Sequence, residues 1–323
     1  MLAKKGKDEP AAAALKTAFE SGYCDFASIF EEKDFNKLVE NKKLDFLLND
    51  KPKLYALGRK NLLVSIRKEL ASYYEVKLKT DNVLIFTDVK EKEYIEQIRK
   101  FTGLFGEYAR ANLMFEQSPF SVLWIFSDKD DVNSAMIGML TGSDGYFSGL
   151  FDPSYGVLFT DIYSGLGVFS HEYTHALHAG DASKNNQSHP KWLKEMLSTG
   201  NEEIDYDEKL NKIELNKLGG RFESMLDGIA NDKIIPLEKL IIMSNEELMD
   251  GKNIELFYAE VRYLGLYLQE KDLLKMFYEQ YKKDYNTDKT GKTTLETVLK
   301  MKLNGFQRIW ERWIVSLPDK NTK

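Results

Sequence analysis

Apolar side chains between about Ala11 and Ser72 recur every three to four positions. Leu15, Phe19, Phe26, Phe30, Phe35, Leu38, Phe46 and Leu47 form the series, with Lys and Glu between them. That period puts them along one face of successive α-helices, so a helical N-terminal region is predicted. The pattern then changes. Asn82 to Thr87 is short, β-branched and aromatic, as a buried strand is. From about Lys90 to Leu113 the helical period returns, with Ile95, Ile98, Phe101, Leu104, Phe105 and Tyr108 on one stripe. Ser121 to Phe126 predicts a second strand. Asp128 to Leu140 predicts another helix, with Asp128 or Asp130 near its N-cap.

Gly145 to Asp161 is rich in Gly, Tyr and Phe, with Asp152-Pro153 as a turn signal at its centre. It predicts a strand over Tyr146–Phe151, a turn, and a strand over Val157–Thr160. From Gly165 to about Pro318 the pattern is helical throughout. Helices, then βαβαββ, then helices is the order of an α+β protein with a small mixed sheet and a mostly helical C-terminal part. The seven prolines are scattered and no repeat or low-complexity tract is visible. Boundaries therefore follow changes of period: a helical region of open role over 1–79, an α+β half over 80–182, and a helical half over 183–323.

Composition narrows the function classes. The 323 residues are 43% hydrophobic and 30% charged, as in a soluble globular protein. A net charge of -6 argues against general nucleic-acid binding, which needs a positive surface to meet phosphates. Runs such as Lys4-Lys5-Gly6-Lys7 read as a solvated tail. No apolar run approaches the roughly 20 residues that cross a bilayer, so no transmembrane segment is expected. No signal peptide is visible at the N-terminus, although the charged, Ala-rich stretch from Lys4 to Ala14 would suit the stub left by removal of one. Cys24 is the single cysteine, which excludes an intrachain disulfide and reads as a buried inert thiol.

The sharpest chemical signal is His171-Glu172-Tyr173-Thr174-His175. Residues four apart share a helix face, so both imidazoles can converge on one ion while Glu172 projects beside them. Neutral imidazoles suit Zn²⁺, a third protein ligand leaves a position for water, and Glu172 can take that water's proton as general base. A bare H-E-x-x-H also arises by chance. Here it takes two of only four histidines and follows a Gly-rich strand region.

Twenty residues beyond His175 stands Glu195, in Pro190-Lys191-Trp192-Leu193-Lys194-Glu195-Met196-Leu197. The interval allows a turn and a second helix packed on the first. With Trp192-Leu193-x-Glu195 the chain resembles the gluzincins, whose H-E-x-x-H is followed by a Glu on the next helix, often in W-L-x-E-G. Met196 stands where Gly is usual and Ser198 where Ala is frequent, departures that touch packing beside the ligand. An ordinary surface carboxylate is the plain alternative for Glu195. A metzincin-like spacing would make Asp181 the third ligand instead, but His178 occupies the position where that pattern requires Gly. His178 shares the face of His171 and His175 and suits either an outer-shell partner or a half-buried helix-closing role; His189 falls in the connecting loop.

From Asn82 to about Pro318 the chain is similar to a bacterial, often exported, group of the peptidase MA-like (gluzincin) superfamily. Gly145-Tyr146-Phe147-Ser148-Gly149-Leu150-Phe151-Asp152-Pro153 fits its edge strand and turn. Ile235 to Leu240, Tyr258 to Leu264 and Phe306 to Trp313 fit its later connector and helices. The resemblance implies a thermolysin-like core whose edge strand borders the cleft and pairs with an extended peptide. It implies zinc held by His171, His175 and Glu195, with Glu172 as general base. A C-terminal Tyr commonly stabilises the oxyanion in such enzymes, and Tyr258 is the candidate; with seventeen tyrosines, an ordinary core aromatic competes. Arg262, four residues on, could bind a carboxylate or form a plain salt bridge. Nothing matches the Gly-x-Met-Glu-Asn segment of aminopeptidase gluzincins, Ala135 to Met139 being a superficial echo, so an endopeptidase or narrow processing enzyme fits better.

The expected function is therefore zinc-dependent hydrolysis of a peptide or protein substrate. The rivals are a zinc-binding but catalytically silent module that recognises a protein or glycan, and a helical protein with a fortuitous motif. Family likeness favours export to the periplasm, a lipid anchor or the medium, with the cytoplasm open. Oligomeric state is not readable.

Overall fold

The structure is a computed structural model that describes residues 2–78, 83–113, 115–116, 122–127, 149–207, 209, 212–244, 247–248 and 254–317. Helix and a small mixed sheet combine in the α+β class that the periodicity predicts. The chain divides into two compact units, one of residues 1–106 and 116–188, the other of residues 107–115 and 189–323.

In the first unit the N-terminal helices are α1 (Asp8–Glu20), α2 (Phe26–Glu31), α3 (Asn36–Glu40), α4 (Asp45–Asn49) and α5 (Lys51–Glu69). The predicted helical character holds, broken into short pieces at polar caps such as Asp25, which accepts the Ser28 N–H at 3.1 Å. Phe19, Phe26, Leu38, Leu44, Leu47 and Leu54 close a core of their own. At Gly58 of α5 a Cβ would lie 2.2 Å from the Phe19 carbonyl oxygen, so only Gly permits this approach of α1 and α5.

The sheet follows, with strands β1 (Tyr74–Leu78), β2 (Val83–Thr87), β3 (Val122–Ser127), β4 (Gly149–Asp152) and β5 (Val157–Asp161) in the order β1-β2-β3-β5-β4. β2, β3 and β5 are parallel, and antiparallel β1 and β4 form the edges. The parallel strands are covered on both faces, which is why they read as unbroken apolar runs. Leu123 and Ile125 face a core that takes in Leu62, Leu63 and Ile66 of α5. Trp124, pointing the other way, stacks on Phe169 at 4.3 Å.

β1 was not predicted. Tyr74-Glu75-Val76-Lys77-Leu78 alternates polar and apolar positions in an edge strand too short for the period to stand out from the preceding helix. The predicted helix over Asp128 to Leu140, Asp128 and Asp130 included, lies outside the described residues, as do Ala135 to Met139 and Gly145 to Ser148. Helix α6 (Lys92–Leu113) matches its prediction closely, and α7 (Gly165–Lys184) carries the H-E-x-x-H.

The second unit holds α8 (Lys191–Thr199), β6 (Ile204–Asp207), β7 (Lys212–Leu215), α9 (Arg221–Ala230), α10 (Leu237–Leu240), α11 (Ile254–Glu270), α12 (Leu274–Asp284), α13 (Lys292–Leu299) and α14 (Leu303–Val315). α11 is its central helix, buried from Phe257 to Leu268 nearly all round. The expectation of helix throughout is corrected at 204–215, where β6 and β7 pair as an antiparallel hairpin. Asp205, Asp207, Lys212 and Glu214 point outward and alternate with Ile204, Tyr206, Ile213 and Leu215, a period of two hidden by its brevity.

Candidate metal-binding site

Helix α7 is oriented by its aromatic face. Phe169 and Tyr173, one turn apart, stack on each other at 5.4 Å. Phe169 also packs on Trp124 and Phe101, and Tyr173 meets Phe105 at 6.1 Å. With that face buried, His171, Glu172 and His175 are turned to the half-buried side. The start of the helix is fixed as well. Asp161, at the end of β5, accepts the Tyr163 and Ser164 N–H groups at 2.9 and 2.8 Å, and Gly165 takes the left-handed φ of +74° that the turn requires.

The two imidazoles converge. Nε2 of His171 and Nε2 of His175 lie 3.0 Å apart, with the rings edge to face at 4.7 Å. Two nitrogens bound at about 2.0–2.1 Å to one tetrahedral zinc would stand about 3.3 Å apart. The pair therefore already has nearly the spacing of two ligands of a single ion.

Glu172 points to the edge strand. Its Oε2 accepts the Phe151 N–H at 2.7 Å. Phe151 sits opposite Leu158 in the β4–β5 register, and its N–H is spent on Glu172, on the open side of β4. Gly149 makes this approach possible, since a Cβ there would fall 2.7 Å from Val168 Cγ1 and 3.2 Å from Glu172 Cγ.

Glu195 lies on α8, only 8% exposed despite its charge. Pro190 opens this helix, and Trp192 anchors it by donating Nε1–H to the Thr290 carbonyl at 2.9 Å. Met196 is fully buried, and the helix facing it makes room. At Gly265 of α11 a Cβ would meet Met196 Cγ at 3.0 Å and the Met196 carbonyl at 3.2 Å. The bulk that Met196 adds next to Glu195 is thus taken up by a glycine on the neighbouring helix. His171, His175 and Glu195 carry the donor atoms that could hold a metal ion.

The remaining candidates have other surroundings. Asp181 is buried and its Oδ1 accepts the Glu116 N–H at 2.8 Å, and it is not part of the three-residue group. His178 is buried rather than half-buried. His189 does lie in a loop, but inside a cage of Tyr278, Tyr281 and Tyr285 rings, where burial and nearby lysines pull its pKa down to about 3. Tyr258, half-buried on α11, has the Arg221 guanidinium 5.0 Å over its ring. Arg262 makes no ion pair among the described residues. Its buried guanidinium donates to the Thr199 and Asn216 carbonyls, the former closing the C-terminal end of α8.

Sequence reasoning missed Arg221. Its fork grips the Glu202 carboxylate at 2.6 and 2.9 Å, and against the cost of burial that pairing holds its pKa above the usual guanidinium value. Nothing in the local sequence marks it, because its partners lie 19 residues before it and 37 after it along the chain. Compared with known proteins, the chain matches no family model and no curated protein.

Proposed function

We propose that this chain is a zinc-dependent peptidase of the gluzincin kind, with a thermolysin-like core, His171, His175 and Glu195 as metal ligands and Glu172 as general base. The observation that carries the reading is the convergence of the His171 and His175 Nε2 atoms to 3.0 Å on the helix that also carries Glu172. Two neutral nitrogens and one carboxylate oxygen, with a position left for water, are a donor set for zinc in preference to a hard ion that wants oxygen throughout. Zinc bound there would acidify a water toward a pKa of about 7 and polarise the scissile carbonyl.

The chain's own groups do the rest. Glu172 takes the proton from the attacking water on a carboxylate oxygen and returns it to the leaving amine. The Tyr258 phenol donates to the oxyanion as it develops, held under the Arg221 cation. An extended substrate pairs with backbone groups on the open side of β4 other than the Phe151 N–H that Glu172 takes, which orients its carbonyl and favours internal cleavage over removal of a terminal residue. No described helix is long and apolar enough to cross a membrane. Family likeness makes export the working expectation for where the enzyme meets its peptide or protein substrate.

The deciding experiment combines metal analysis with a broad peptide library. Protein purified without chelator should carry one zinc per chain and cleave members of the library internally. A chain with no zinc and no zinc-dependent stabilisation sinks the proposal. A chain with stoichiometric zinc that cleaves nothing in the library is instead a silent recognition module.

A further inference from the structure

The N-terminal helices stand outside the family resemblance, yet one of them touches both elements that carry Glu172 and its partner. Helix α5 presents Lys51, Tyr55 and Arg59 at intervals of four, hence along one face. Lys51 Nζ donates to the Ser183 carbonyl at 2.5 Å and to Asn186 Oδ1 at 2.6 Å, at the C-terminal end of α7. A cation suits that end, where the last carbonyls of a helix lack N–H partners. Tyr55 shares a 2.5 Å hydrogen bond between its hydroxyl and Ser183 Oγ, buried from water. One turn on, Arg59 Nη1 donates to the Tyr155 carbonyl at 2.9 Å, in the turn that joins β4 to β5.

That turn has a second hold from the same region. The Cys24 N–H donates to the Ser154 carbonyl at 2.7 Å and its thiol to the Pro153 carbonyl at 3.3 Å. Tyr23 meets Tyr155 edge to face at 6.1 Å. Further along α5, Leu62, Leu63 and Ile66 pack on the sheet core beside Ile125 and Phe159. The helix is itself braced by the N-terminal core, through the contact of Gly58 with α1.

We propose that α5 is a positioning strut that sets the metal helix α7 against the edge strand β4, with Tyr55 and Lys51 as positioning residues for the metal ligands His171 and His175. This rests on the zinc-peptidase reading. A helix is a stiff rod, and α7 is fixed at its start by Asp161 and near its middle by the Glu172–Phe151 bond. Fixing the far end against the same body that holds the β4–β5 turn removes the remaining freedom to pivot. The placement of His171 and His175 against β4 is then set before a metal arrives, which is preorganisation supplied from outside the ligand shell.

The test is a double-mutant cycle on Tyr55→Phe and Ser183→Ala, read on the Co²⁺-substituted full chain by its visible spectrum and by the rate of metal loss to a chromophoric chelator. Both substitutions keep the packing and delete the hydrogen bond. Each single variant is expected to shift the Co²⁺ absorption band and to lose metal three- to tenfold faster, with the double variant no worse than either single. A lowered melting temperature with an unchanged band and unchanged loss rate overturns the strut, because a purely structural contact would give that pattern. If the wild type takes up no Co²⁺, the zinc reading fails and the strut is judged on amide exchange across residues 171–178. There Tyr55→Phe should speed exchange severalfold, and unchanged exchange overturns it.

Discussion

The Glu172 carboxylate and the Phe151 backbone N–H are joined at 2.7 Å, so the group proposed as general base also fastens helix α7 to the edge strand. The two roles separate under substitution. Glutamine keeps an oxygen to accept the Phe151 N–H and keeps the side chain's shape, but it cannot take a proton. Glu172→Gln is therefore expected to leave zinc stoichiometry unchanged and the fold intact. Peptide hydrolysis should fall by about 10²–10⁴-fold, the usual worth of a positioned base. Metal analysis beside a peptide assay checks it, and a variant that still cleaves at the wild-type rate removes Glu172 from the mechanism.

Gly149 supplies a test of the same junction by shape alone. An alanine Cβ would press on Val168 Cγ1 at 2.7 Å, inside any normal contact, and on Glu172 Cγ behind it. Overpacking of this kind typically costs about 1–3 kcal/mol. Gly149→Ala should lower the unfolding free energy by that amount and slow hydrolysis by moving Glu172. Adding Val168→Ala opens the space and should recover much of both losses. If the double variant is no better than Gly149→Ala alone, the contact with Val168 is not the cause.

What the sequence made legible follows the length and burial of each element. The parallel strands β2, β3 and β5 are covered on both faces, so their apolar runs stand out, and the long amphipathic α6 shows its period over several turns. β1 and the β6–β7 hairpin escaped because four or five alternating residues between helices carry too little signal. At the candidate site His171, Glu172 and His175 fall within five consecutive residues, so their spacing on one helix face is readable from the sequence as a candidate motif. Glu195 is visible only through the resemblance of its Trp-Leu flank. Arg221, Gly265 and the Phe151 N–H were unreadable, since each matters through a contact with a residue remote in sequence.

Glu260 predicts loss of stability toward alkaline pH. It is fully buried on α11, and its Oε1 accepts the Ile235 N–H at 2.7 Å. Burial raises its pKa from 4.5 to about 9, against the pull of that hydrogen bond and with help from Glu311. The folded state therefore keeps a proton that the unfolded state gives up above pH 4.5. Stability associated with this group is full below that value and is lost as pH rises toward 9. Glu260→Gln removes the titration while keeping an acceptor for Ile235. Urea unfolding should show the variant gaining on the wild type between pH 5 and pH 8, and parallel stability curves would contradict this.

His189 predicts the opposite slope at acid pH. Its ring is 3% exposed inside the tyrosine cage, with centroids 5.0 Å from Tyr281 and 5.8 Å from Tyr278. Desolvation is the main cause that lowers its pKa from 6.5 to about 3, and the charges of Lys194, Lys282 and Lys289 add to it. The folded state holds this imidazole neutral where the unfolded chain would protonate it. Its contribution is present above about pH 6.5 and is lost as pH falls toward 3. His189→Phe keeps an aromatic ring in the cage and cannot titrate. The measurement is the slope of unfolding free energy between pH 6.5 and pH 4.5, wild type against variant, so that carboxylates common to both cancel. The variant should be flatter by up to one proton's worth of linkage whatever its stability at neutral pH. Equal slopes would mean that His189 takes up its proton in the folded state, which requires water to reach the ring through Tyr278, Tyr281 and Tyr285.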